Sequence, residues 1–362
     1  MQLNKLAVIV QPTLINSDNL PTEDQIKFKY QIDRLCSYPS IPVRPASAVA
    51  IDGNATSLDQ IKLPPQPPRA RFLLKCENLA VLPNTGIYVD LTERQLISLP
   101  SLDYRLLIEE LSHTKRQQLR LPSSIRYIEG SSLNLDCLWA NSFFHFMTDV
   151  LGKLFVTELT VSLKTFDSII YPFDLSHFSE WWFKRLGIYG RIIKTQEPLL
   201  LERGFLPSYS QHVGWYSPDF LNWVRATVPQ ELMNYGARTS RLYIAGRTNR
   251  RLVNELNLIR ELSVFGFTTI YPAEMSIEDQ IRAFSNADLI VAPHGAALAN
   301  LIFASEGISV IELFGRGYIN PCYLELTTMV GGRYHYLLGV DVGKGDYKID
   351  ISKLLDYIKK TG

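Results

Sequence analysis

Two arginines stand where a strand pattern gives way to a helix pattern, and their side chains could bind a phosphate. Arg247 and Arg251 follow the apolar strand pattern of residues 241–246. A helix pattern begins shortly afterwards, at Asn254. A guanidinium group can bind a diphosphate through two parallel hydrogen bonds and stabilise a leaving group's negative charge without a metal. The alternative is a solvated basic loop that binds nothing.

A histidine, a glycine and an alanine form a second candidate site for an anion. His294 and Gly295 follow the apolar run 288–293, and good helix formers begin at Ala296. A turn from a strand into a helix leaves backbone N–H groups unpaired, and the helix dipole adds positive charge there. Gly295 has no side chain, so a ligand could approach the backbone closely. His294 could donate to a phosphate or a nucleobase; the alternative is a histidine that only caps the strand.

One carboxylate, Glu312, lies inside an apolar strand pattern at residues 308–314. An ionised carboxyl group that is buried without a partner is costly, so Glu312 needs a ligand or a charged neighbour. In a sheet that binds nucleotides, a carboxylate at this edge would bind the ribose hydroxyls. The alternative is an ion pair between Glu312 and a nearby arginine.

Four polar residues near these positions are expected to support the site. Asn254 and Glu255 open a helix, so capping of that helix is an equal alternative to a role at the site. Gln280 lies on the polar face of a predicted helix, and we expect no direct contact with a ligand. Asn300 lies about two helical turns beyond His294 and is expected to hold a neighbouring loop.

A third group of polar residues lies upstream, on a predicted helix over residues 141–159. Asn141, His145 and Asp149 recur at every fourth position, which places them on one helical face. Transfer of a group to a hydroxyl needs a base that removes the hydroxyl proton. His145, oriented by Asp149, could be that base, and Asp149 itself is the rival. The alternative is a buried polar stripe with a structural role.

The elements that carry these residues alternate between strand and helix. In the C-terminal half, strands are predicted at 241–246, 267–271, 288–293 and 308–314, and helices at 254–262, 276–286 and 296–304. Such alternation predicts a parallel sheet covered on both faces, and ligands bind beyond the carboxyl ends of its strands. His294, Glu312 and the loop with Arg247 would meet at that edge. A similar alternation over 124–194 predicts that the first half is also Rossmann-like.

The order and spacing of these residues resemble glycosyltransferase family 61, which includes bacterial capsular polysaccharide enzymes and eukaryotic xylosyl- and N-acetylglucosaminyltransferases. The matching residues are Arg247, Arg251, Asn254, Glu255, Gln280, His294, Gly295, Ala296, Asn300 and Glu312, with a weaker match at Asn141, His145 and Asp149. The resemblance implies an α/β, GT-B-like enzyme with two Rossmann-like domains facing a cleft. It also implies a nucleoside-diphosphate sugar as co-substrate, inversion at the anomeric carbon, and no need for a metal or other cofactor.

The sequence departs from the family pattern at several positions. Ala297 replaces a frequent second glycine, Ala245 and Gly246 precede the arginine where a serine is usual, Phe146 replaces a tryptophan, and Gly152 with Lys153 replaces Pro-Arg. The departures at Phe146 and at Lys153 concern the acceptor side rather than the donor side.

Composition and charge exclude several classes of protein. With 362 residues, 46% hydrophobic and 20% charged, the chain fits two globular domains. A net charge of +1 gives no global attraction to nucleic acid. The four cysteines are widely spaced, which argues against a zinc site and favours reduced core residues: Cys36, Cys76, Cys137 and Cys322.

The sequence also predicts where in the cell the protein is located. No segment reaches the roughly 18–20 apolar residues that a membrane helix needs. The apolar run 6–10 is too short for a signal peptide. We therefore expect a cytoplasmic enzyme, with peripheral association at the inner face of the membrane as the other location considered.

These observations combine into one prediction and two rivals. We expect an acceptor-side domain over 1–228, a nucleotide-sugar-binding domain over 229–345, and a terminal helix, 346–362, packed back on the first domain. The predicted enzyme is a hexosyl- or pentosyltransferase that glycosylates a glycan or lipid-linked glycan in surface polysaccharide synthesis. A non-catalytic nucleotide-sugar-binding scaffold would keep His294 without needing His145. A Rossmann oxidoreductase would need a GxGxxG turn, and the sequence has none.

Overall fold

A computed structural model describes residues 48–51, 71–84, 86–92, 95–97, 124–210, 216–233, 240–246 and 250–361. These residues form two compact units, divided between Tyr216 and Ser217. The division lies upstream of the predicted domain boundary between residues 228 and 229, because the helix α3 (Pro218–Thr227) belongs to the second unit. Its Arg225 donates from Nε to the carbonyl of Ile302, at 2.7 Å.

The first unit contains a seven-stranded mixed sheet. Its strands are β2 (Leu73–Leu82), β3 (Ile87–Asp90), β4 (Gln95–Ile97), β5 (Arg126–Asn134), β6 (Ser168–Ile170), β7 (Ile192–Ile193) and β8 (Leu199–Pro207), in the order β4-β3-β2-β8-β5-β6-β7. Strands β8, β5, β6 and β7 run parallel, while β2, β3 and β4 extend the sheet in antiparallel fashion. A parallel half therefore carries an antiparallel extension.

Strand β5 is one continuous strand, whereas the sequence pattern predicts two short strands, at 124–128 and 133–139. Its register with β8 shifts between Ile128 and Ser131. Gly130, at the centre of this bulge, has φ of +83°, a backbone angle that favours glycine. The bulge interrupts the apolar alternation, which explains the apparent break in the sequence pattern.

Helices follow the parallel strands of the first unit. The segment α1 (143–158) consists of an α-helical turn Phe143–His145, a π-helical turn Phe146–Val150 and an α-helix Leu151–Glu158. Helix α2 spans His177–Arg185 and starts with a reciprocal cap between Ser176 and Ser179. Short 3₁₀ turns lie at Leu163–Thr165 and Tyr189–Arg191.

The second unit is built on an all-parallel sheet. Its strands are β1 (Ala48–Ala50), β9 (Ser240–Ile244), β10 (Phe267–Ile270), β11 (Ala287–Pro293), β12 (Ser309–Phe314) and β13 (Arg333–Leu338), in the order β1-β13-β12-β11-β9-β10. Counted from β9 along the chain, the five consecutive strands have the doubly wound order 2-1-3-4-5. The order reverses between β9 and β11, and such a switch point is where ligands bind in these sheets.

The remaining elements of the second unit cover this sheet. They are the helices α4 (Glu255–Val264), α5 (Ile277–Ser285), α6 (Cys322–Met329) and α7 (Ile351–Thr361), the hairpin β14 (Val340–Gly343) with β15 (Asp346–Lys348), and 3₁₀ helices at Gln230–Leu232, Pro272–Glu274 and Ala296–Phe303. The terminal helix α7 contributes Leu354 and Ile358 to the same core cluster as Leu258 of α4. These contacts with the second unit differ from the predicted packing of this helix on the first domain.

The α/β class predicted from the sequence is confirmed, with three differences in detail. The helix after His294 is a 3₁₀ helix rather than an α-helix. The glycine-rich segment 340–347 forms the β14–β15 hairpin rather than a loop. Strand β1 belongs to the second unit, because it pairs in parallel with β13. The expected GT-B arrangement stays a prediction.

Two further expectations concern the cysteines and the membrane. Cys76, Cys137 and Cys322 are buried free thiols, and Cys36 lies outside the described residues. Within the described part of the chain, no helix has the length and apolar character needed to cross a membrane.

Candidate functional site

His294 follows the carboxyl end of β11 and is held by a buried carboxylate. Its Nδ1 lies 2.5 Å from Oε1 of Glu312, on the neighbouring strand β12. The other oxygen, Oε2, accepts a 2.5 Å hydrogen bond from the hydroxyl of Tyr334, on β13. The Glu312 side chain has no exposed surface, so both of its oxygens need these partners. We call these three residues the His294 network.

The His294 network determines which nitrogen of the imidazole can contact a ligand. Burial, and then the nearby Glu312 carboxylate, raise the pKa of the Tyr334 hydroxyl well above its usual range, so this hydroxyl remains a donor. A histidine whose Nδ1 is held by a carboxylate presents Nε2 to a ligand. The His294 side chain keeps 11% of its surface exposed, so Nε2 is the nitrogen that could contact a ligand.

Glu312 therefore differs from its expected role. The sequence predicted contact with ribose hydroxyls or an ion pair with an arginine. In the structure its oxygens face His294 and Tyr334 instead, and neither oxygen reaches the surface. The reason is that Glu312 lies in the middle of three adjacent parallel strands, where its neighbours are other strand residues. This geometry makes Glu312 a residue that positions His294.

Aromatic rings surround the imidazole of His294. The ring of Phe314 stacks on it, with centroids 5.2 Å apart and planes at 24°. The rings of Tyr318 and Tyr323 lie 5.4 Å from it. The guanidinium of Arg250 lies 4.2 Å from the centroid of the Tyr318 ring, which is 44% exposed. Arg250 was not among the predicted site residues, yet it lies one ring away from His294.

The turn after His294 exposes backbone donors. Gly295 is extended, with φ of −178° and ψ of 167°, and the first bond of the 3₁₀ helix runs from Leu298 N to its carbonyl at 3.1 Å. The N–H groups of Ala296 and Ala297 precede this bond, so the helix itself gives them no partner. Ala296 is exposed. The predicted N–H donors are therefore present beside His294, at the start of a helix with fewer residues per turn than expected.

Arg251 makes a bidentate ion pair rather than pointing freely into solvent. Its Nε and Nη2 lie 3.1 and 2.8 Å from Oδ2 of Asp346, and its backbone N–H donates to Oδ1 at 2.9 Å. These bonds lower the pKa of the Asp346 carboxyl below its usual value. The Arg251 side chain nevertheless keeps 75% of its surface exposed. Its proposed partner in phosphate binding, Arg247, lies outside the described residues.

Asn254 and Glu255 hold neighbouring chain segments. The Asn254 amide exchanges two hydrogen bonds with the backbone of Ile349, at 2.9 and 3.3 Å, and does not cap α4. Glu255 accepts a 2.9 Å hydrogen bond from the hydroxyl of Tyr243 and one from the backbone N–H of Gly246. Burial raises the pKa of the Glu255 carboxyl. Both residues therefore fix the carboxyl end of β9 and the segment after β15.

Gln280 and Asn300 form a buried amide pair. The Asn300 Nδ2 donates to Gln280 Oε1 at 2.8 Å and to the carbonyl of Ala297 at 3.1 Å. Gln280 in turn donates to the carbonyl of Pro272 at 2.8 Å. Gln280 is buried, in contrast to the polar helix face expected from the sequence. The pair ties α5 and the turn before it to the first turn of the 3₁₀ helix after Gly295.

His145 and Asp149 form the second pair of a histidine and a carboxylate. His145 Nδ1 lies 2.8 Å from Asp149 Oδ2, and their side chains are 20% and 3% exposed. Asp149 lies within the π-helical turn of α1, and His145 immediately precedes it. Single π-turns inside α-helices are frequent at functional sites. Asn141 does not share this helical face, because the helix begins only at Phe143 and Asn141 lies exposed in the preceding turn.

A buried lysine anchors the segment between β5 and α1. Lys153, with no exposed surface, donates from Nζ to the carbonyl of Asp136. Its ammonium lies 5.1 Å from the ring centroid of Tyr209 and 5.9 Å from that of Tyr88. The Tyr88 hydroxyl donates to the same carbonyl at 2.7 Å. The sequence marked Lys153 only as a departure from a family pattern, and its position in the core was missed.

The structure thus brings the predicted residues into two groups, one in each unit. In the first unit the group is His145 with Asp149, and in the second it is His294 with Glu312. Sequence reasoning missed Tyr334, which completes the second group. A signal existed in the sequence. The next strand predicted after that of Glu312 covers residues 334–338 and begins with Tyr334, and consecutive strands of such a sheet are often neighbours.

Comparison with known proteins shows which family the chain resembles. A family model described as Glycosyltransferase 61 matches residues 143–311. The matched segment contains His145, Asp149 and His294 and ends one residue before Glu312.

Three curated relatives are also named as glycosyltransferases. The chain is 26% identical over 190 residues to the EGF domain-specific O-linked N-acetylglucosamine transferase of Bos taurus, covering 50% of the chain and 33% of that protein. It is 38% identical over 96 residues to the protein O-linked-mannose beta-1,4-N-acetylglucosaminyltransferase 2 of Xenopus laevis, covering 25% and 16%. It is 27% identical over 90 residues to a beta-1,2-xylosyltransferase of Arabidopsis thaliana, covering 25% and 17%.

The chain thus matches a third or less of the length of each of these relatives. The match to the family model nevertheless falls on the segment that holds both histidine–carboxylate groups, apart from Glu312. Residues 143–311 therefore match glycosyltransferase family 61, which confirms the resemblance seen in the sequence, and all three relatives are named as glycosyltransferases.

Proposed function

We propose that this protein transfers a sugar from a nucleoside-diphosphate sugar to a hydroxyl group of a glycan or lipid-linked glycan, with inversion at the anomeric carbon. The observation that carries this proposal is the bond of 2.8 Å between His145 and Asp149. A protein that only binds nucleotide sugars would not need a partly exposed imidazole oriented by a buried carboxylate. The family match supports the same reaction class.

The donor is proposed to bind at the carboxyl edge of the second sheet. His294 Nε2 and the N–H groups of Ala296 and Ala297 are donors that suit phosphate oxygens. The guanidinium groups of Arg250 and Arg251 add positive charge on the segment that follows β9. These cationic groups could stabilise the departing diphosphate directly, which is why we propose a reaction that needs no metal.

The acceptor's proton is proposed to pass to His145. As the acceptor oxygen forms its bond to the anomeric carbon, the bond from that carbon to the diphosphate breaks, and the hydroxyl proton moves to Nε2 of the imidazole. Asp149 stabilises the resulting imidazolium. Asp149 is the weaker candidate for the base itself, because its side chain is only 3% exposed and its Oδ2 is bound to His145.

The names of the relatives suggest which donors to examine first. Two are N-acetylglucosaminyltransferases and one is a xylosyltransferase. We therefore propose an N-acetylhexosamine or a pentose as the transferred group. A role in surface polysaccharide synthesis, at the cytoplasmic face of a membrane, follows from the resemblance to the bacterial members and is part of the same proposal.

A donor screen tests the proposed function. The purified protein is incubated with UDP-, GDP- and CMP-sugars and a mixed glycan acceptor, and release of the free nucleotide is measured. We expect acceptor-dependent release from one class of donor, and loss of that release in His145→Ala. Binding of a nucleotide sugar without release, in both proteins, would favour the non-catalytic scaffold.

A further inference from the structure

Trp139 is exposed on an unusual backbone beside the proposed base. It lies in the turn between β5 and α1, with φ of +60° and 41% of its surface exposed. A residue with a large side chain seldom adopts this left-handed angle, and does so where the surrounding structure enforces it, often at ligand sites. The exposed indole, held at this backbone angle, is therefore a candidate for contact with a ligand.

The turn that carries Trp139 is fixed on both sides. The Tyr88 hydroxyl and the Lys153 ammonium both donate to the carbonyl of Asp136, before the indole. The Tyr171 hydroxyl donates to the carbonyl of Ala140, after it, at 3.0 Å. Buried side chains thus hold the backbone of the turn while the indole itself stays partly in solvent.

The indole also contacts the proposed base. The ring centroids of Trp139 and His145 lie 5.2 Å apart, with 39° between the planes. The His145 Nδ1 is engaged by Asp149, so Nε2 is the nitrogen that could meet a hydroxyl, on a ring that lies next to an exposed aromatic surface. A pyranose ring has an apolar face of C–H groups and a rim of hydroxyls. Stacked on the indole, it would bury its apolar face and bring a hydroxyl near the imidazole.

We propose that Trp139 binds a pyranose ring of the acceptor by stacking, and that this contact positions the acceptor hydroxyl at His145. The proposal rests on the proposed function for its choice of ligand. Exposure alone would not support it, because Tyr189 is equally exposed, at 41%, yet its ring lies against Lys184. Trp139 differs in that its ring lies against an imidazole that is paired with a carboxylate.

The first test measures sugar binding without catalysis. Saturation-transfer NMR on the full chain uses methyl glycosides of glucose, galactose, mannose and N-acetylglucosamine as probes. We expect binding of at least one glycoside, and an affinity about tenfold lower or worse in Trp139→Gly. Glycine adopts a positive φ readily, so this variant removes the ring while keeping the backbone of the turn. Tyr189→Ala is the matched control and should bind as the unaltered protein does.

Three results would overturn the inference. One is equal glycoside binding by Trp139→Gly and the unaltered protein. Another is no binding of any glycoside by the unaltered protein at millimolar concentrations. The third is a loss of UDP affinity in Trp139→Gly, which would make the indole a platform for the donor's base.

A second test separates this inference from the proposed function. With a working donor and acceptor, Trp139→Gly should raise the acceptor KM about tenfold with a much smaller change in the donor KM, and Trp139→Phe should restore part of the loss. Nucleotide release with an unchanged acceptor KM would refute the stacking role and leave the transferase intact. Glycoside binding that needs Trp139, without any nucleotide release, would support stacking and refute the transferase.

Discussion

The imidazole Nδ1 of His294 lies 2.5 Å from a carboxylate oxygen of Glu312 that has no exposed surface. This relationship connects two adjacent strands of the parallel sheet at the edge where its strands end. A third strand contributes the Tyr334 hydroxyl to the same carboxylate. The result is a histidine with one fixed nitrogen and one nitrogen left for a ligand, beside unpaired backbone donors.

Removal of the Tyr334 hydroxyl should affect stability more than binding. In Tyr334→Phe, one oxygen of the buried Glu312 carboxylate loses its partner, so we expect a loss of about 1–3 kcal/mol in the free energy of unfolding. His294 keeps its own bond to Glu312, so UDP affinity should change little. Urea unfolding and calorimetry measure the two effects. Tyr347→Phe is the control, since that hydroxyl donates to the neutral carbonyl of Leu313, and its loss should cost less. Equal costs would contradict the prediction.

Asp149 should affect catalysis through its bond to His145. Asp149→Asn keeps the shape of the side chain but removes the charge that stabilises an imidazolium, so we expect kcat to fall by about 10²–10⁴ with little change in donor affinity. Adding His145→Ala should cost little more, because residues that act as a unit are not additive. Thr148→Val, at a buried neighbour whose hydroxyl donates to the backbone carbonyl of Phe144, serves as the control. An additive double variant would argue against a coupled base.

Arg251 has two separable roles, and a pair of variants distinguishes them. Arg251→Ala should weaken UDP binding by at least about tenfold if its guanidinium serves the donor. Asp346→Asn removes the ion pair but leaves the guanidinium in place, and it should keep UDP affinity within about threefold. Calorimetry compares the two. The same loss of affinity in both variants would mean that Arg251 acts only by holding the hairpin.

Glu325 should make the stability of the protein depend on pH. Burial raises the pKa of this carboxyl from an ordinary 4.5 to about 8. The folded state therefore retains a proton that the unfolded state releases, and the free energy of unfolding should fall as pH rises from about 4.5 to about 8. Between pH 5 and pH 8 the loss should be on the order of 3 kcal/mol. Glu325→Gln should remove this part of the slope in urea unfolding. An unchanged profile would contradict the assignment.

The strands β9 to β12 of the second sheet could be predicted from the sequence because their signals are local and repeated, whereas β1 was not predicted. Apolar runs such as those of β11 and β12 are bounded by helix patterns, and each predicted strand falls within two residues of the observed one. The 3₁₀ geometry after Gly295 was not predictable, because the same residues are good α-helix formers. The choice between the two helices depends on packing in the core, where Leu298–Phe303 are all buried.

The partners of the site residues were harder to predict than their positions. Glu312 was recognised as a buried carboxylate, but its bonds to His294 and Tyr334 depend on the order of strands in space. Arg251 was recognised as a cation, but Asp346 lies 95 residues away in the sequence. Such pairs come together only through tertiary structure, and sequence spacing on one element carries no information about them.

Calorimetric titration of the full chain with UDP, GDP and CMP tests the central claim most directly. That claim is that His294, held by Glu312, binds the nucleoside diphosphate of the donor. We predict micromolar binding of UDP or GDP, weaker binding of the monophosphate CMP, and an affinity for the bound diphosphate that is at least about tenfold lower in His294→Ala. His335→Ala, at a histidine of the same sheet that bonds Tyr357 instead, should bind as the unaltered protein does. Equal nucleotide affinity in His294→Ala and the unaltered protein would contradict the account.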